Sequence, residues 1–171
     1  MKIYLIHPGD SDLNDLTPKG ILQMKNLSRK LISDKLSFDK IYVNGHDVSR
    51  QSGNILSKSL KIPIISDERF VEITKKVILG DLDDFDQNNL DHINLFAKEI
   101  AEIGKDVIIT MGGGIHRVLI SALTGMPLNE TRHFSLYPSG VSILQYSEDS
   151  DDGTGRWRIS VLNDRTHLKI P

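Results

Sequence analysis

Three histidines stand where chemistry is easiest to build. His7, His46 and His116 fall in three polar or glycine-rich stretches that follow short apolar runs. A neutral imidazole near pH 7 serves as a nucleophile, a proton carrier or a metal ligand. Three of them converging on one pocket would suit a divalent metal, with Asp10, Asp47 or Glu72 as a further ligand. His7 or His46 alone would suit a nucleophile. The simpler reading gives each histidine its own loop hydrogen bonds. Gly112-Gly113-Gly114 ahead of an apolar stretch can cradle an anion on backbone N–H groups, or can simply permit a tight turn. It lacks the lysine and the spacing of a P-loop. Arg117, one turn further on, reads as structural rather than as a ligand contact.

The rest of the composition excludes other chemistry. The chain of 171 residues contains no cysteine, which removes thiol catalysis, disulfides and cysteine-held metals. With 21 Lys+Arg against 23 Asp+Glu the net charge is −2, so nucleic acid is not an expected partner. The apolar start Ile3-Tyr4-Leu5-Ile6 is too short for a signal segment, and nothing else is long enough to span a bilayer. The expectation is a single cytoplasmic domain over residues 1–171, with no cofactor and no membrane contact. A homodimer is compatible with it.

These candidates need elements to position them. Residues 2–6, 38–43, 62–65 and 107–110 read as strands. Pro63 puts the third of them at a sheet edge, and the run Val107-Ile108-Ile109-Thr110 reads as central. Helical spacing predicts helices over 18–34, 48–60, 90–103 and 115–124, the first with Thr17 as N-cap and Pro18 at its first position. The acidic run Asp81–Asp86, with Lys75-Lys76 before it, reads as a solvated loop. Residues 140–146 and 156–162 read as a closing β-hairpin around a polar turn at 147–153. Trp157 reads as core or half-buried, Phe134, Leu136 and Tyr137 as packing under the sheet, and Met111 as a plug for a pocket. Alternating strands and helices imply an α/β protein, a three-layer α/β/α sandwich with a mostly parallel sheet. Ligands bind such sheets at the carboxyl ends of the strands. Three loops sit there: 6–14, 44–50 and 110–117.

Those loops resemble the histidine phosphatase superfamily, on its phosphoglycerate mutase and α-ribazole phosphatase-like branch. Leu16-Thr17-Pro18-Lys19-Gly20 with Gln23 is similar to the family's Leu-Thr-x-x-Gly-x-x-Gln helix start. Ser49-Arg50-Gln51-Ser52 resembles its Ala-x-Gln-Thr segment, and Gly113-Gly114-Ile115-His116-Arg117 its Gly-x-x-Ile-Arg helix start. Leu162-Asn163-Asp164 and His167-Leu168 resemble its closing segment. The resemblance implies a phosphoglycerate mutase-like fold and, in the family, a phosphohistidine reaction. One histidine attacks phosphorus, a second histidine and two arginines hold the phosphoryl oxygens, and a glutamate moves the proton.

Carried onto this chain, the resemblance sets His7 at the first arginine's place and Pro8 at the nucleophile's. Val48 stands at the second arginine's place and Gly112 at the second histidine's. Gly9 keeps a family glycine, Asp10 replaces a glutamate, Asn14 matches a pocket asparagine, Arg50 a flanking position and Glu72 the acid/base glutamate. Proline offers no lone pair, and loss of a covalent nucleophile costs orders of magnitude in rate. The expectation is a pseudoenzyme, retained to bind a small phosphorylated metabolite or anion, or a partner protein. The expected ligand-binding set is His7, Gly9, Asn14, His46, Arg50, Glu72, Gly113 and His116. The alternative is a phosphohydrolase or other enzyme rebuilt on His7, His46, His116 and Glu72, with or without metal.

Overall fold

The computed structural model describes residues 1–171 apart from 72, 82, 149–154 and 170–171. Glu72 and most of the polar turn expected at 147–153 therefore lie outside the described residues.

Strand residues that alternate between two apolar faces build the sheet. In β1, Lys2–Ile6, the side chains of Ile3 and Leu5 enter one core and those of Tyr4 and Ile6 the other. The same division separates Tyr42 from Ile41 and Val43 in β4 (Ile41–Val43), and Val107 and Ile109 from Ile108 in β6 (Val107–Thr110). Two short strands, β2 (Ser11–Asp12) and β3 (Asp15–Leu16), form a separate hairpin in the first loop. With β5 (Ile64–Ser66), β7 (Val141–Ser147) and β8 (Arg156–Asp164), the main sheet has the order β5-β4-β6-β1-β7-β8. Its first four strands are parallel, and β7 and β8 are antiparallel.

Helices α1 (Pro18–Ser33) and α2 (Asp47–Leu60) supply Met24, Leu27, Leu31 and Leu56 to the core on one face. On the other face, α3 (Lys75–Ile78), α4 (Asp84–Glu102) and α5 (Gly113–Thr124) supply Val77, Ile93, Phe96, Val118 and Leu119. Burying a side chain of this size contributes about 1.5–3 kcal/mol. Two cores on one sheet make the three-layer α/β/α sandwich that the alternation implied, with β7 and β8 as its closing hairpin. Short 3-10 turns at Leu128–His133 and Thr166–Lys169 complete it.

Several local expectations change. The second half of the acidic run is no loop: Asp83 caps α4, its carboxylate accepting from the Asp86 backbone N–H, and Asp84 and Asp86 occupy the first turn. Negative charge is favoured there because the helix N-terminus is positive. The helix thus begins six residues before the expected start. Lys75 and Lys76 are helical, and Lys76 Nζ lies 3.4 Å from both Asp83 and Asp86. Tyr137 is half exposed rather than packed under the sheet.

Candidate functional site

The first loop is held from behind. Thr17 Oγ1 accepts from Gly20 N at 3.0 Å and donates to Asp10 Oδ2 at 2.8 Å. Gln23 Oε1 accepts from Asp10 N at 2.8 Å, Gln51 Oε1 from Leu16 N at 2.9 Å and Ser52 Oγ from Gly9 N at 3.2 Å. Gly20 must be glycine, since a Cβ there would overlap the Asp10 carbonyl oxygen. The second side is tied to the closing segment: His7 N donates to Gly140 O and Ser139 N to Pro8 O, each at 2.9 Å. Ser139 is buried in the left-handed region, and its hydroxyl sits 3.1 Å from His167 Nε2. Asn163 Oδ1 accepts from Tyr137 N at 3.0 Å. The motif residues Thr17, Gly20, Gln23, Gln51, Ser52, Asn163 and His167 thus all serve loop geometry.

A cleft of about 420 Å³ opens at the carboxyl ends of the parallel strands. All three expected loops line it. From the site set it contains His7, Pro8, Gly9, Asn14, His46, Val48, Gly112 and Gly113. No lysine or arginine is among its described lining residues. The N-termini of α2 and α5, capped by His46 and Gly112 with no side-chain cap bond, open onto it. Nothing lies within 4 Å of where a Gly112 Cβ would stand, so open space faces that position.

His7 is the cleft's half-buried imidazole. Its Nδ1 is 3.2 Å from the Pro8 carbonyl, which can only accept, so the ring proton sits on Nδ1 and Nε2 carries the lone pair. Nε2 lies toward Gly113, 3.6 Å from the position of a Cβ there. Burial, and secondarily the Arg117 charge, lower the His7 pKa against the raising effect of the Pro8 carbonyl. His116 packs edge-on behind it, ring centroids 6.1 Å apart. His116 is buried, its Nε2 has no hydrogen-bond partner, and burial followed by the His7 charge pushes its pKa down to about 3. It is a neutral core histidine, not a cleft residue.

The remaining candidates fall elsewhere. Asp10 is engaged by Thr17 and by Lys19 at 3.3 Å, and those hydrogen bonds hold its carboxyl below the usual range. Arg50 is exposed outside the lining and pairs with Asp47 on the same helix. Among the described residues, no group of three His, Asp or Glu side chains is placed to hold a metal ion; His7, His46 and His116 do not form one. Met111 is in the core beneath the cleft rather than plugging it. Arg117 donates to the carbonyls of Thr131 and, at 2.7 Å, Phe134, the structural role expected of it. Residues the spacing did not single out also line the cleft: Ser11, Asn44, Ile73 and Pro138. Asn44 is buried with its Oδ1 unpartnered, and the Asn44-Gly45 break after β4 was its one signal.

No protein-family model matches the chain, and no curated protein sequence matches it significantly. Solved structures do match. Bacillus stearothermophilus YhfR superposes with a TM-score of 0.79 at 18% identity, covering 98% of each chain. The phosphoserine phosphatase of Entamoeba histolytica in complex with 3-phosphoglyceric acid gives 0.76 at 16%, again covering 98% of each. The α-ribazole phosphatase of Shigella flexneri gives 0.74 at 19%, covering 96% of this chain and 97% of that one. The structural neighbours are histidine phosphatase superfamily proteins, and this chain has their fold. Among the described residues no helix is long and apolar enough to cross a membrane.

Proposed function

We propose that this chain, built on the fold of the histidine phosphatases, binds a small phosphorylated metabolite in the cleft and does not run the phosphohistidine reaction. One observation carries the reading. Pro8, Val48 and Gly112 line the cleft together, at the places where the resemblance calls for a nucleophile, a guanidinium and a second imidazole. An isopropyl group and a hydrogen atom supply no charge to the equatorial oxygens of a transferring phosphoryl group. Binding needs less. The two uncapped helix N-termini present backbone N–H groups and positive dipole ends, and His7 can take up a proton beside a bound anion. The neighbour crystallised with 3-phosphoglyceric acid supports the ligand class.

Sulfate, whose charge is constant near neutrality, isolates the cleft's own protonation. Titrated calorimetrically, it should bind more tightly as pH falls from neutrality toward the burial-lowered His7 pKa, because the anion selects protonated His7. His7→Ala should weaken glycerol 3-phosphate about tenfold, the worth of one charge-assisted hydrogen bond. Absence of any binding would overturn the reading. A second reading, an enzyme rebuilt on His7, draws on the free Nε2 lone pair. It requires turnover that His7→Ala abolishes.

A further inference from the structure

Beside the cleft lies a second cavity of about 340 Å³, and the two share Ile73, Gly113 and Gly114 on their walls. The partition is thin. Gly114 admits no side chain because a Cβ would overlap the Ile73 carbonyl oxygen. Across this ridge the charge changes character. The second cavity is lined by Lys75, Arg117 and Arg132, with no carboxylate among its described lining residues.

What sets these three apart is that they meet at one concavity without a carboxylate among them, whereas several cations elsewhere are neutralised. Arg69 is paired with Asp67 and Glu99, Lys76 with Asp83 and Asp86, Lys105 with Asp39 and Arg50 with Asp47. Arg117 instead spends its donors on the carbonyls of Thr131 and Phe134, which fix its position without cancelling its charge. Lys75 and Arg132 have no carboxylate within ion-pair distance among the described residues; the Arg132 Nε approaches only His133 Nε2, at 3.3 Å. Three uncancelled cations around one concavity raise its positive potential and draw anions to it.

We propose that this cavity is a second anion subsite, and that the ligand carries two anionic groups: a phosphoryl group in the cleft, and a carboxylate or second phosphate across the Gly113–Gly114 ridge. The proposal rests on the cleft reading above. Lys75, on the short α3, and Arg132, on the 3-10 turn Leu128–His133, are exposed and able to swing onto the second group, while Arg117 supplies a fixed field.

Two matched pairs of probes test it by calorimetry at constant ionic strength. Glycerol 3-phosphate and 3-phosphoglycerate differ by a carboxylate; fructose 6-phosphate and fructose 1,6-bisphosphate differ by a phosphate. At least one two-anion probe should bind about tenfold or more tightly than its partner, and which pair does so identifies the second group. That ratio should fall toward one in the Lys75→Ala/Arg132→Ala double variant and persist in Lys98→Ala, which removes an exposed charge from α4. Ratios of one in the unmodified chain, a ratio that survives the double variant, or equal loss in Lys98→Ala would overturn the subsite. Normal glycerol 3-phosphate binding with ratios of one sinks the subsite alone; failure of all four probes sinks the cleft reading as well.

Discussion

The first loop has a back and a front, and they are built from different kinds of contact. Its back rests on Thr17, Gly20, Gln23, Gln51 and Ser52, which meet backbone groups of residues 9, 10, 16 and 20. Its front presents His7 and Pro8 to the cleft, opposite Val48 and Gly112. By the resemblance, Thr17, Gly20, Gln23 and Gln51 of the back keep the motif's residue and Ser52 stands for a threonine, while Pro8, Val48 and Gly112 of the front depart from it. Positioning a loop and reacting with a substrate are thus separate demands on a sequence. The first is met by backbone hydrogen bonds and a close glycine contact, the second by a few side chains aimed at open space.

That contrast can be broken by substitution. Gly20→Ala should be the most damaging change, since the new methyl meets the Asp10 carbonyl and one backbone segment must move. A loss of about 3 kcal/mol is expected in denaturant unfolding, within the range for strained buried sites. No loss, or the gain of about 0.4–1 kcal/mol that an unstrained Gly→Ala change brings, would mean that the back of the loop is not the constraint described.

A smaller and pH-dependent effect belongs behind the front. His116 is held neutral, with its folded pKa at about 3 against an ordinary 6.5. The unfolded chain takes up a proton below pH 6.5 and the folded chain does not, so its contribution to stability is present above 6.5 and is lost as pH falls toward 3. The slope is about 1.4 kcal/mol per pH unit in that window. His116→Met should remove this share of the slope in pH-dependent melting while leaving the chain folded at neutral pH. An unchanged acid slope would place a charged or solvent-reached imidazole at this position.

How much of this was legible in the sequence follows the same division. The strands β1 and β6 and the helix α1 announce themselves through apolar runs, a Thr-Pro start and helical spacing, and the cleft follows from strand polarity. The acidic run misled because four aspartates in six residues look like solvent, whereas Asp83 three residues before Asp86 is a cap. His116 falls both in the expected loop 110–117 and in the expected helix 115–124; α5, beginning at Gly113, turns its side chain into the core. Arg50 sits beside motif residues yet points along its own helix to Asp47. The second cavity gathers Lys75, Arg117 and Arg132 from three elements, and no local spacing announces such a meeting.

The most direct measurement is steady-state hydrolysis of p-nitrophenyl phosphate and 3-phosphoglycerate by the purified chain, with His7→Ala alongside. Expected is no turnover above buffer by either protein, since the resemblance sets Pro8 where the family's histidine attacks phosphorus, while glycerol 3-phosphate still binds. Phosphate release at rates typical of enzymes, about 1 per second or faster and abolished by His7→Ala, would contradict it and assign the cleft to catalysis.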